Sequence, residues 1–369
     1  MASPAPRNPF TPTFGSVPLF MAGREHIVRD IARGFDNGPG DPNLSTIFTG
    51  PRGTGKTALL SYLSQEALGH GWISANVSAA PGMLEDILER ATEAAQEFVS
   101  TAPEPRIKGI HVGAVGVDWE YGSHPEGNWR TKMNALLKEL DRFDVGLLIT
   151  VDEVRVDLDE MLQLVTVYQH FIREGRRVAL LMAGLPYKVS TLLRNDSVSF
   201  LRRAQRHGLG RIPDYEITNA LIKTIEQSGR QIEMAALDHA VEAIGGFPFM
   251  MQLVGYRMWD AHADASMISA EDAVRGALLA KAEFRERVLE TTYRELSDGD
   301  LRFLAAMLPD KNGESRMTDI ADRMGVSSGY VSQYRKRLLE DGIIGEKGRG
   351  VVGVELPAFK DFLEERFAD

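Results

Sequence analysis

The sequence predicts a chain in three parts: an α/β core on a five-stranded parallel sheet, an all-helical segment, and a C-terminal module of helices with a β-hairpin. Three observations carry this reading. Up to Ile212, short unbroken apolar runs alternate with longer helical patterns, which is the signature of a parallel sheet covered on both faces. From Asp214 the runs stop, and apolar residues recur every three or four positions, as on helices. Near Leu296 the composition changes again, to a helix-turn-helix spacing followed by a glycine-rich hairpin pattern.

The elements follow in chain order. Residues 1–18 hold Pro4, Pro6, Pro9, Pro12 and Pro18 and no apolar stretch of the kind a signal peptide needs, so they read as a proline-rich flexible arm, mobile or draped on the surface. The core is expected over 19–212, with strands at Ser45–Thr49, Trp72–Val77, Val145–Val151, Val178–Ala183 and Gly208–Ile212. Helices are expected at Thr57–Leu68, Met83–Ser100, Asn128–Arg142 and Leu158–Glu174. Ile107, Ile110, Val112, Val115, Val117 and Trp119 predict a β-hairpin inserted at about 106–122. Residues 213–291 form the helical segment: Tyr215–Ser228, Met234–Ile244, Phe249–Ala261 and Ser269–Glu290, with Gly229 and Gly245-Gly246 as stops. The C-terminal module takes 292–369.

Bulk properties narrow the classes. A length of 369 residues suggests two or three domains. With no cysteine there is neither a disulfide framework nor a thiolate zinc site, which fits a reducing, cytoplasmic compartment. No apolar run reaches the roughly 18 residues of a membrane span. The eight histidines sit apart, without metal-ligand spacing. A net charge of −10 argues against binding nucleic acid with the whole surface and leaves room for a local basic face.

The strongest motif is Gly50-Pro51-Arg52-Gly53-Thr54-Gly55-Lys56-Thr57, a full match to the phosphate-binding P-loop pattern. Its glycines let successive backbone N–H groups point at one anion, and the helix that follows adds its positive end. Lys56 is expected to reach the β- and γ-phosphates of ATP, and the Thr57 hydroxyl to ligate Mg2+. The run Val145–Val151 then delivers Asp152 and Glu153 at a strand tip. Asp152 suits the magnesium ion, usually through water, and Glu153 suits the task of polarising the attacking water.

With Phe20-Met21-Ala22-Gly23-Arg24-Glu25 before the loop and a helical region behind the acidic pair, the chain resembles AAA+ and STAND-type ATPases. It is most similar to the origin-recognition and archaeal-ATPase-like group, which often has an arginine inside the loop, as Arg52 is here. The resemblance implies an α/β P-loop NTPase core of ASCE type, an all-α lid, a C-terminal winged-helix domain, and hydrolysis of ATP to ADP and phosphate. It puts Gly23 and Arg24 beside the adenine. It makes Asn76 a candidate for the polar residue that holds the catalytic glutamate in an inactive pose. Arg202 and Arg203 resemble an arginine finger offered to a neighbouring subunit, which implies a homo-oligomer. Two departures stand out. Ala183-Gly184-Leu185-Pro186 replaces the polar sensor after the fourth strand, and Gly245-Gly246-Phe247-Pro248-Phe249 replaces the lid arginine. The second is like STAND relatives, whose slow turnover acts as a switch.

In the C-terminal module, Ile320 and Met324 lie four apart, Ala321 is small at the inter-helix contact, and Gly325 makes the turn. A second helix follows from Ser327 or Ser328 to Glu340, and Ile343–Val352 reads as a wing. This looks like a winged helix. Ser328, Tyr330 and Gln333 are then placed for base edges of double-stranded DNA, and Arg335, Arg337, Lys347 and Arg349 for phosphates. From Leu296 on there are 11 basic and 14 acidic residues, so any DNA contact depends on local clustering. The alternative is a STAND-like signalling scaffold with weak hydrolysis, whose winged helix contacts proteins.

Overall fold

The computed structural model describes residues 7–13, 15–101, 128–310 and 313–368. The hairpin expected at about 106–122 lies outside the described residues.

The core is built from the most apolar runs outward. Strand β3 (Gly146–Asp152) and strand β4 (Val178–Gly184) are buried nearly throughout and form the middle of the sheet. Strands β1 (Ser45–Thr49) and β2 (Trp72–Ser78) join them in the order β2-β3-β4-β1, all parallel. Helices α1 (Glu25–Asn37) and α2 (Lys56–Gly69) cover one face through Ile31, Phe35, Leu59 and Leu63, packed on Phe48, Leu148 and Leu181. Helices α3 (Met83–Thr101), α4 (Trp129–Arg142), α5 (Asp159–Arg173) and α6 (Pro186–Arg194) cover the other through residues such as Ile87, Met133, Leu164 and Val189. Gly146 is required by a close approach, since a Cβ there would meet the Trp72 ring at 2.2 Å.

One strand is displaced from its expected place. Strand β5 is Gln205–Gly208, not Gly208–Ile212, and it pairs residue by residue with Thr46–Thr49. It is an edge strand, so it needs little apolar surface. The apolar residues that suggested the later span, Leu209 and Ile212, are buried beyond the strand's end instead.

The helical segment comprises α7 (Asp214–Gln227), α8 (Met234–Ile244), α9 (Pro248–Ala261) and α10 (Ala270–Phe284), the last opened by a capping box between Ser269 and Asp272. Two short strands, β6 (Gln231–Ile232) and β7 (Met267–Ile268), tie its loops together. The helix expected to run to Glu290 changes at Arg285 into a π-helical turn, and α11 (Thr291–Glu295) continues it. The C-terminal module follows: α12 (Asp298–Met307), β8 (Glu314–Arg316), α13 (Met317–Met324), α14 (Ser328–Glu340), β9 (Ile344–Gly348), β10 (Val351–Val354) and α15 (Phe359–Ala368). Its three strands pair antiparallel in the order β8-β10-β9 beside the helix pair α13 and α14, with Gly325 making the left-handed turn between them, an arrangement consistent with a winged helix. One apolar cluster runs from Ile212 through the helical segment to Leu363, so the helical segment and the module share a core.

The N-terminal arm is anchored where the structure describes it. Phe10 is 2% exposed and lies on Gly255 of α9, where a Cβ would come within 2.4 Å of its ring. Asn8 Nδ2 donates to the Tyr256 carbonyl, and Thr11 N donates to Gln252 Oε1. Buried aromatic area fixes this part of a segment whose proline content had suggested freedom. No helix among the described residues is long and apolar enough to cross a membrane.

Candidate functional site

The phosphate loop leaves β1 and enters α2. Gly53 and Gly55 have φ of 78° and 81°, a region L side chains rarely adopt, and Gly55 is the residue from which α2 starts. Gly50 is needed for space, because a Cβ there would sit 2.5 Å from the Leu209 carbonyl oxygen. The buried Thr54 hydroxyl donates to the Pro51 carbonyl and braces the turn. Lys56 folds its ammonium over the loop, with Nζ 2.8 Å from the carbonyl oxygens of both Gly50 and Pro51. Burial pulls this group from its ordinary 10.5 down to about 8. The nearby Arg52 charge acts in the same direction, while Asp152 and Glu153 oppose it.

The acidic tip of β3 reaches the same loop. The Thr57 hydroxyl donates to Asp152 Oδ2, and the Glu153 amide donates to Asp152 Oδ1 at 2.9 Å. A hydroxyl and a carboxylate in contact are the hard oxygen donors that a magnesium ion prefers. Glu153 has φ of 56°, an uncommon left-handed conformation for a side-chain-bearing residue, and its exposed carboxylate stands clear of the strand. Asn76, on β2, accepts hydrogen bonds at Oδ1 from the hydroxyls of Ser64 and Thr150.

Arg24 and Gly23 sit where the core meets the helical segment. Arg24 is 8% exposed, and its guanidinium donates to the Gly210 carbonyl at 2.7 Å; burial lowers its pKa, with Glu216 acting against that. A side chain on Gly23 would meet Ile212 at 3.0 Å and Glu216 at 3.1 Å. Across the loop, Pro248 at the start of α9 packs on Gly55, where a Cβ would lie 3.5 Å from the proline ring. The glycine-glycine-x-proline stretch is thus the helical segment's contact with the phosphate loop, a role its sequence alone did not reveal.

The two arginines after β4 differ. Arg202 is held in its own chain by Leu193 O at 2.9 Å and Asp196 at 3.6 Å. Arg203 is exposed and has no hydrogen-bond or ion-pair partner among the described residues.

The C-terminal module touches the core beside the loop. Gly342 packs on Leu185, and Pro51, Leu185, Tyr187, Leu339, Gly342 and Ile344 line a cavity of about 230 Å³ between them. Ser328, Tyr330 and Gln333 lie exposed on α14, with the Tyr330 hydroxyl bonded to that of Tyr334 at 2.9 Å. Of the basic candidates, Arg335 pairs with Glu346, Arg337 with Asp300 and Lys347 with Glu355. Arg349 alone of the four has no ion-pair partner among the described residues.

Comparisons with known proteins place this geometry. Residues 286–363 match a family model described as a domain of unknown function (DUF8462). No curated protein matches the chain. Among solved structures, the ORC2 protein of Aeropyrum pernix aligns over 97% of this chain and 98% of its own, with 15% identity and a TM-score of 0.59. A Walker-type ATPase of Pyrococcus abyssi aligns over 93% and 96%, with 14% identity and a TM-score of 0.60. The likeness is one of fold: the chain shares the architecture of these proteins across the core, the helical segment and the C-terminal module.

Proposed function

We propose that the chain binds ATP with magnesium, hydrolyses it slowly, and uses the bound state to reposition the winged helix on double-stranded DNA. The observation that supports this is the hydrogen bond between Thr57 and Asp152 beside the Lys56 ammonium, the residue types that a phosphate cradle and a cation site need at one point. Loop amides and Lys56 bind the β- and γ-phosphates, and Thr57 and Asp152 hold magnesium, the Lewis acid that offsets charge on the transferred group. Glu153 orients the attacking water. Arg203 of a second subunit supplies the remaining positive charge, which the Ala183-Gly184-Leu185 stretch does not. The lid senses the loop through Pro248, and the winged helix senses the core through Leu185. Nucleotide drives the switch only in so far as it binds one lid pose more tightly than the other.

The test compares wild type with Lys56→Ala and Glu153→Gln. Lys56→Ala should lose ATP binding and the stabilisation that magnesium-ATP confers. Glu153→Gln should bind ATP and fail to turn it over. Unchanged ATP affinity in Lys56→Ala sinks the site assignment. A second reading, a nucleotide-dependent scaffold whose winged helix contacts protein, is favoured by the ion pairs that already occupy Arg335, Arg337 and Lys347. Retention on non-specific DNA that weakens with salt supports the first reading, and indifference to DNA supports the second.

A further inference from the structure

Asn76 on β2 stands opposite Thr150 on β3, and residues in register in a parallel pair face the same side of the sheet. That side is covered by α2, which brings Ser64 to the pair. The Asn76 Oδ1 accepts from Ser64 Oγ at 2.6 Å and from Thr150 Oγ1 at 2.7 Å. Two donors fill both lone pairs of this oxygen. The Nδ2 group, with its two hydrogens, has no protein partner among the described residues, and Asn76 as a whole is exposed.

The two hydroxyls are not equivalent. Ser64 Oγ also lies 2.9 Å from the Leu60 carbonyl oxygen, so its proton has a second acceptor. If the Asn76 amide turned over, Ser64 could donate to Leu60 and accept from Nδ2 without loss. Thr150 has no such alternative: the residue is 2% exposed and its hydroxyl meets no other acceptor among the described residues. A turned amide would leave its proton buried and unpaired, which is the expensive arrangement. Thr150 therefore decides which end of the amide faces inward.

We propose that Thr150 is a positioning residue for hydrolysis, pinning the Asn76 amide with its two N–H donors outward so that they can engage Glu153 and hold it away from the attacking water. Thr150 precedes Glu153 by three residues, and β3, which carries Thr150, ends at Asp152, so the pin lies on the strand whose end delivers the group it controls. The inference rests on the reading of Glu153 as the residue that polarises water and of Asn76 as its restraint.

The experiment measures ATP turnover and ATP affinity in the full chain for wild type, Asn76→Ala, Thr150→Val, Thr150→Ser, Ser64→Ala and the Asn76→Ala/Thr150→Val double variant. Thr150→Val should raise turnover about threefold to tenfold, the scale set by one hydrogen bond, at unchanged ATP affinity. Thr150→Ser should restore the wild-type rate, Ser64→Ala should act less than Thr150→Val, and the double variant should match Asn76→Ala alone. A rise in Asn76→Ala without one in Thr150→Val overturns the pin and leaves the restraint standing. No rise in Asn76→Ala overturns both. Should Thr150→Val fold poorly or all rates be too low to compare, the Asn76 side-chain amide resonances decide. They should move on Glu153→Gln in the wild-type background and stay still in a Thr150→Ala background. Resonances that ignore Glu153→Gln in the wild type refute the proposal.

Discussion

Replacing Lys56 with methionine should stabilise the nucleotide-free chain while abolishing its response to ATP. The ammonium ordinarily titrates at 10.5 and, buried in the loop, at about 8. Between those values the unfolded chain keeps a proton that the folded chain has released, so stability rises with pH across that window. Below pH 8 the folded chain bears the whole penalty, about 3 kcal/mol at about 1.4 kcal/mol per pH unit. Methionine keeps the apolar stem and removes the charge. It also removes the hydrogen bonds to the Gly50 and Pro51 carbonyls, worth about 1 kcal/mol each. The balance is an advantage of about 1 kcal/mol for Lys56→Met at pH 7, shrinking towards pH 10 as the wild type sheds its proton. Magnesium-ATP at 100 times its Kd should add about 2.7 kcal/mol to the wild type and almost nothing to the variant, reversing their order. Urea denaturation at pH 7 and pH 10, with and without magnesium-ATP, reads all four states. A variant that is less stable than the wild type at pH 7 without nucleotide, or an advantage that does not change with pH, would refute the argument.

Three further outcomes follow from the same geometry. Arg203→Ala should cut turnover by about 10³, an arginine finger's scale, with Arg202→Ala the milder change because Arg202 is already held by Leu193 and Asp196. Mixing Arg203→Ala with Glu153→Gln subunits should recover part of the activity, and concentration-independent turnover insensitive to Arg203 would exclude a finger. Arg349→Ala should flatten the salt dependence of DNA retention by about 1, more than Arg335→Ala, whose charge Glu346 already meets; equal slopes would place the phosphate contacts elsewhere. Phe10→Ala should cost about 3–5 kcal/mol in urea denaturation, as a fully buried ring does, and a loss under 1 kcal/mol would mean that the arm is held by its hydrogen bonds instead.

What could be read in advance depended on whether a residue's partner is near in sequence. The phosphate loop was legible because its chemistry is local: glycines, lysine and threonine act within one turn of chain between a strand and a helix. Buried strands β3 and β4 announced themselves as apolar runs. The edge strand Gln205–Gly208 did not, because pairing on one side only leaves Gln205 and Arg206 in solvent and removes the apolar signal. The arm could be read only as mobile or draped on the surface, because what decides between the two lies outside its own sequence. Its prolines are local, whereas what holds Phe10 is a missing side chain at Gly255, far along the chain.

The charge count of the C-terminal module shows the same limit in electrostatics. Arg335 and Glu346 are 11 residues apart and Arg337 and Asp300 are 37 apart, so a composition that looked like a basic cluster is largely a set of closed pairs. Yet the sequence carried one long-range signal that could have been taken further. Gly146-Leu147-Leu148-Ile149-Thr150-Val151-Asp152 is buried up to its acid, and Thr150 is the only hydroxyl in it. A buried hydroxyl in an apolar strand must find a partner, because leaving it unpaired costs more than the bond returns. On a parallel sheet that partner stands on a neighbouring strand or on the helix above. The nearest polar candidates were Asn76, at the same depth on the adjoining strand, and Ser64 on the helix that leaves the phosphate loop. One threonine in an otherwise apolar strand is therefore the mark, already present in the sequence, of a polar contact that joins β3 to β2 and α2.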